Sequence, residues 1–142
     1  EILGRHREAQ VLKHEVAEMR ERMLKEHVQA GEGFDLKLDV GGLTDIEFLV
    51  QYWVLANAAT HPALLDWTDN IRNLEGLVAT GVLTNERGTF LADTYRSFRQ
   101  IVHRRSLEGR TARIPENEAE PQRSQVRELW GTTIGLSHAD ET

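Results

Sequence analysis

The stretch that most constrains this chain runs from Ile46 to Ala59. Ile46, Phe48, Leu49, Val50, Tyr52, Trp53, Val54 and Leu55 leave almost no polar face. A helix that is apolar nearly all round has no side to give to water, so it belongs at the centre of a group of helices. Gly41-Gly42 breaks the chain before it and "THP" at 60–62 stops it. Thr44-x-x-Glu47 has the spacing of a capping box, in which the Thr44 hydroxyl accepts from the N–H three residues on and Glu47 reaches back.

The flanking segments read as further helices. Ala9, Leu12, Val16, Met19 and Met23 recur at spacings of three and four, predicting an amphipathic helix over about residues 5–27. Its other faces carry pairs such as Glu18/Arg22 and Glu21/Lys25 at i,i+4. "QAGEG" (29–33) ends it, and the alternation from Phe34 to Leu38 predicts a short extended segment. A third helix follows Thr68 or Asn70, burying Ile71, Leu74 and Val78, with Gly81 at its C-terminal cap. Thr84 caps a fourth, whose inward stripe is Leu91, Tyr95, Phe98 and Val102. Residues 108–123, with two prolines, read as a loop. Ser124 opens a last helix burying Val126, Leu129, Trp130 and Ile134. The expectation is an all-α bundle of about five helices with an irregular or extended segment at 34–43 and no convincing sheet. Residues 1–135 form one domain and 136–142 a disordered tail.

At 142 residues the chain is long enough to bury one core. No apolar run approaches the ~20 residues of a membrane span. The start "EILGRHREAQ" has no secretory signal and no initiator Met, which suggests a piece of a longer protein. Zero cysteines exclude disulfides and thiolate metal sites and fit a cytoplasmic setting. The net charge of −6 argues against a general nucleic-acid binder, which needs a basic surface. Residues 96–113 nevertheless hold six arginines against Glu108, a local +5 that leaves −11 on the rest.

Known catalytic patterns are missing. There is no phosphate-binding G-x-x-x-x-G-K-[ST] loop, and "GEGF" lacks the third glycine of a dinucleotide fingerprint. Counted from Asp35 as a calcium loop, Lys37, Val40 and Ile46 fall where ligands or glycine are required. The histidines at 6, 14, 27, 61, 103 and 138 never pair at i,i+4, and no Gly-x-Ser-x-Gly elbow occurs.

Two stretches remain unusual. Asp35 to Glu47 gathers Asp35, Lys37, Asp39, Gly41, Gly42, Asp45 and Glu47 at the start of the apolar helix. Capping accounts for Thr44, Asp45 and Glu47. It does not account for Asp35, Lys37, Asp39 or two adjacent glycines, which suit a surface closely approached by another group. Arg96, Arg99 and His103 share one face of the fourth helix. An exposed basic stripe is ordinarily just solvated; alternatively it binds a phosphate or, with Arg104 and Arg105, docks an acidic partner. Trp53, Trp67 and Trp130 are assigned to core or rim.

"DLKLDVGGLTDIEFLVQ" (35–51) resembles the D-[IL]-K-x-x-x-G-G-[IL]-x-[DE]-I-E-F segment of the bifunctional glutamine synthetase adenylyltransferase/adenylyl-removing enzymes. "VAEMRERMLKEH", "YWVLANAATHPALLDWTDNIRNLEGLVATGVL" and "RELW" resemble its flanks, so the likeness covers about residues 13–134. Thr44-Asp45 is similar to the adenylylating half of those proteins; the other half more typically has Arg-Glu. A looser K-x-x-x-G-G-L-x-D pattern is shared with the PII uridylyltransferases, an alternative against which Ile46-Glu47-Phe48 argues.

The resemblance implies a helical domain that follows a nucleotidyltransferase domain. The whole enzyme would move AMP from ATP-Mg²⁺ to a tyrosine of glutamine synthetase, with PII protein and glutamine adjusting the rate. Its metal-holding Gly-Ser…Asp-x-Asp motif has no counterpart here, which implies that the chain alone is inactive and holds neither metal nor cofactor. Asp35 to Glu47 would face the upstream active site, with Lys37 near nucleotide phosphates; otherwise the domain is an interaction module for glutamine synthetase or PII.

Overall fold

The structure, a computed structural model, describes residues 2–27 and 32–135. The tail predicted at 136–142 lies outside the described residues, as does most of the predicted stop at 29–33. Five α-helices are present among them: α1 (Ile2–Glu26), α2 (Leu43–Asn57), α3 (Asn70–Ala79), α4 (Asn85–Leu107) and α5 (Glu120–Thr133). A 3-10 helix, Pro62–Asp66, links α2 to α3.

The apolar run takes the central place its composition demands. α2 packs against α1, α3, α4, α5 and the 3-10 helix. Ile46, Leu49 and Val50 are wholly inaccessible, and they meet Leu74, Leu77, Leu91, Phe98, Val126 and Trp130 in one core. Burial is not complete all round. Phe48 and Leu55 join Leu12, Val16 and Met19 along a groove of about 530 Å³ between α1 and α2.

Local signals set the ends of α3 and α4. The Thr84 hydroxyl accepts from the Arg87 N–H at 3.2 Å, capping α4 as the sequence predicts. Gly81 follows the last turn of α3 at φ +83°, a left-handed position that a side chain would strain. α3 starts at Asn70, within the region expected, and Asp69 caps it by accepting from the Ile71 N–H at 2.9 Å.

Four expectations need correction. First, the expected stripe of α1 holds only in part: Leu12 and Val16 pack against the core, but Met19 is 51% exposed and the fully buried positions are Ala17 and Arg20. The helix is turned to bring Arg20 onto a carboxylate, because a buried charge demands a partner more strongly than a methionine demands burial. Second, the chain has a small sheet. β1 (Phe34–Asp35) pairs antiparallel with β2 (Arg113–Ile114), in register Phe34 to Ile114. Third, α5 begins at Glu120 rather than Ser124. Pro121 sits in its first turn, where the missing N–H has no helical partner to lose. Fourth, Thr44 does not cap α2. Gly42 occupies the cap with no side-chain bond, and the helix starts at Leu43.

Candidate functional site

The segment between β1 and α2 is sewn to the helix that follows it. The Leu43 and Thr44 N–H groups donate to the carbonyls of Leu36 and Lys37 at 2.8 and 3.0 Å, so backbone oxygens do the work of a cap. Gly42 N–H donates to the Asp39 carbonyl at 3.0 Å. Asp45, in the first turn of α2, reaches back to accept from the Gly41 N–H at 2.7 Å. Its negative charge also suits the helix N-terminus.

The carboxylates fold the turn. Asp35 Oδ1 accepts from the Lys37 and Leu38 N–H groups, each at 3.0 Å, an Asx-turn arrangement. Asp39 Oδ2 accepts from the Asp35 N–H at 2.8 Å. His27, at the end of α1, brings Nε2 to 3.5 Å from Asp35 and 3.4 Å from Asp39. Asp45 is fully buried and meets Arg20 of α1, whose Nε donates to Oδ1 at 2.5 Å. Arg20 Nη2 donates to the Leu38 carbonyl at 2.6 Å. The same guanidinium thus holds two points of the turn.

The glycine pair answers to contacts within the chain. A Cβ on Gly42 would stand 2.3 Å from the Leu36 carbonyl oxygen. At Gly41, with φ +92°, it would stand 2.8 Å from the Arg123 carbonyl. The close neighbours are the turn itself and α5. Arg123 is buried under the turn, its guanidinium 3.4 Å from the centre of the Phe34 ring. Nη1 donates to the Glu116 and Glu118 carbonyls at 2.6 and 3.1 Å. Burial lowers its pKa, and the nearby Glu120 carboxylate opposes that.

Two predicted residues stand apart. Lys37, the one basic residue between 35 and 47, is exposed. Glu47 leaves the turn altogether: its Oε2 accepts from the Tyr95 hydroxyl of α4 at 3.4 Å, which in turn accepts from Asn70 Nδ2 at 3.0 Å. Among the described residues no group of three or more histidines and carboxylates is placed to hold a metal.

The arginines of α4 and the segment after it do not form one surface. Arg96, Arg99 and Arg104 are exposed, Arg96 near Asp93 at 3.7 Å and Arg99 over the Tyr95 ring at 5.8 Å. Arg105 is half-buried, its Nε donating to the Thr111 carbonyl of the following loop at 2.6 Å. Arg110 pairs with Glu108 at 3.4 Å, and Arg113 donates to the Gly33 carbonyl at 3.3 Å.

Sequence reasoning missed two buried cations: Arg20, which holds the turn, and Arg123, which ties the loop before α5 and stacks on Phe34 of β1. A signal for Arg20 existed: Ala17, Arg20 and Leu24 follow helical spacing, which places an arginine in the middle of an otherwise apolar line. Nothing local marks Arg123, whose partners are carbonyls of the preceding loop and a ring of β1.

A helix bundle whose central helix is launched from an acidic Gly-Gly turn is the class that the fold and the turn define. The chain belongs to the family described as GlnD PII-uridylyltransferase, whose model matches residues 10–138. Its relatives include bifunctional glutamine synthetase adenylyltransferase/adenylyl-removing enzymes. The protein of that name from Thioalkalivibrio sulfidiphilus is 52% identical over 91% of this chain and 13% of its own length. Those of Nitrosococcus oceani and Burkholderia pseudomallei are 44% and 40% identical over 94% and 95% of this chain, and 14% and 15% of their own. The chain therefore spans about a seventh of the length of the curated relatives it matches. Their shared name favours the adenylyltransferase over the uridylyltransferase alternative.

Proposed function

We propose that this chain is the helical domain that accompanies a nucleotidyltransferase domain in a glutamine synthetase adenylyltransferase/adenylyl-removing enzyme, and that the 35–47 turn presents Lys37 to nucleotide phosphates at that domain's active site. The observation that carries the reading is the contrast within the turn. Asp35, Asp39 and Asp45 accept from backbone N–H groups of the turn, Asp45 also pairs with Arg20, and His27 lies beside the first two, whereas Lys37 is left exposed. A rigid turn holding one outward cation suits a point contact to a phosphate, because little side-chain-independent motion has to be frozen on binding.

The whole enzyme would carry AMP from ATP to a tyrosine of glutamine synthetase, with Mg²⁺ neutralising the phosphates. The residues here do not fit as magnesium ligands: Asp45 is sealed from solvent, and Asp35 and Asp39 each give one oxygen to the turn and turn the other toward His27. Metal-holding carboxylates would come from the catalytic domain, and this chain, lacking Asp-x-Asp, would not transfer AMP alone. Its contribution is to position Lys37, with Gly41 and Gly42 letting the turn close on α5 and on itself. Such an enzyme would act in the cytoplasm, with PII protein as a regulator.

A second role concerns docking. Arg96, Arg99 and Arg104 are exposed on α4 and could meet an acidic face of glutamine synthetase or PII. The turn and these arginines can serve different steps of one reaction.

The test of the turn is Lys37→Ala in a full-length enzyme carrying this domain. The ATP KM should rise several-fold; unchanged KM and kcat would remove Lys37 from the site.

A further inference from the structure

We infer that Arg20 of α1 is the positioning residue for the Lys37 turn: through one buried guanidinium it sets where the lysine stands relative to bound nucleotide. The inference rests on the role proposed for Lys37.

Arg20 is wholly buried, and its fork reaches both limbs of the turn. Nη2 donates to the carbonyl of Leu38, the residue next to the lysine. Nε donates to Asp45, whose other oxygen accepts from the Gly41 N–H on the far limb. The carbonyl of Lys37 itself is bound to the Thr44 N–H one residue before Asp45. Arg20 therefore closes a ring of bonds running from Lys37 through α2 and back to Leu38.

Packing alone would be served as well by an aliphatic side chain, without the desolvation of a guanidinium. The buried Nη1 has no protein partner among the described residues, an added desolvation cost that an aliphatic side chain would not carry. What a guanidinium adds is a planar fork that fixes two acceptors in a set geometry, which an ammonium cannot do. Moving a contact by about an ångström is enough to weaken binding or chemistry substantially.

The test is a double-mutant cycle in a full-length enzyme carrying this domain. AMP transfer from labelled ATP to glutamine synthetase is measured for the parent, Arg20→Lys, Lys37→Ala and both together, with the thermal midpoint of each. The expected result is that Arg20→Lys raises the ATP KM by a factor close to that of Lys37→Ala. The double variant should be no worse than Lys37→Ala alone, since the lysine to be positioned has gone. A merely structural arginine would lower the midpoint and the active fraction, and hence apparent kcat, but leave the ATP KM at its parent value. That result, or losses that multiply in the double variant, overturns the inference while Lys37→Ala still raises the KM. If Lys37→Ala changes nothing, the reading of the turn falls and the inference with it. Should Arg20→Lys melt below the assay temperature, Asp45→Asn, which keeps an acceptor for Gly41 N–H, is judged by the same KM criterion.

Discussion

Arg20 and Asp45, 25 positions apart, meet as an ion pair with neither side chain exposed. The pair joins the first helix to the N-terminus of the central one. Removing one partner strands the other charge in the interior. Arg20→Ala should therefore cost about 3–5 kcal/mol in denaturant unfolding. Arg20→Met with Asp45→Leu should cost less than Arg20→Ala alone, because neither charge is left buried. A double variant less stable than the single one would contradict this assignment.

The glycines divide by what surrounds them. A Cβ on Gly88 would stand 2.3 Å from Val78 Cγ2, where α4 crosses α3, whereas one on Gly131 in α5 would meet nothing within 4 Å. Gly131→Ala should stabilise by about 0.5–1 kcal/mol through helix propensity. Gly88→Ala should destabilise by about 1–3 kcal/mol through overpacking. Thermal melts of the two variants, expected to move in opposite directions, check the assignment.

Burial raises the pKa of Tyr52 above its ordinary 10.0. The folded state thus favours the neutral phenol. The resulting stabilisation is complete below the unfolded value and is lost as pH rises through the folded one. With only two tyrosines in the chain, the rise in tyrosinate absorbance should show one group ionising later than a free phenol. Tyr52→Phe should remove that late step and soften the loss of stability at alkaline pH. Persistence of the late step in Tyr52→Phe would place the buried phenol elsewhere.

Arg99 and Arg104 are exposed on α4. Reversing both to glutamate should cost about 1–2 kcal/mol, because Arg99 leaves the Tyr95 ring and an acid at 104, in the last turn of α4, opposes the helix dipole. If α4 docks an acidic surface of glutamine synthetase, the reversal should weaken binding of the full-length enzyme and flatten the dependence of that affinity on salt. Equal affinity and an unchanged salt slope would exclude these two arginines from docking.

Most of the bundle was legible because its determinants are local. An all-apolar run predicted a central helix, the Thr84 hydroxyl capped α4, and Gly81 took the left-handed position after α3. The misses share one physical origin, contacts between distant segments. β1 exists only because β2 lies 79 positions away to pair with it. The buried face of α1 is chosen by Asp45, and Thr44 gives up its cap because the Leu36 and Lys37 carbonyls already fill it. Of the turn, the sequence marked the acidic residues, the glycines and Lys37 together. It could not say that the carboxylates turn inward, since that depends on His27 and Arg20 arriving from α1.

The most direct measurement is AMP transfer from labelled ATP to glutamine synthetase by the nucleotidyltransferase domain, with and without this chain added in trans. The account predicts weak transfer by the catalytic domain alone, restored by the wild-type chain and much less by the Lys37→Ala chain. Full transfer without the chain would contradict it, and would leave the Lys37 turn as scaffold.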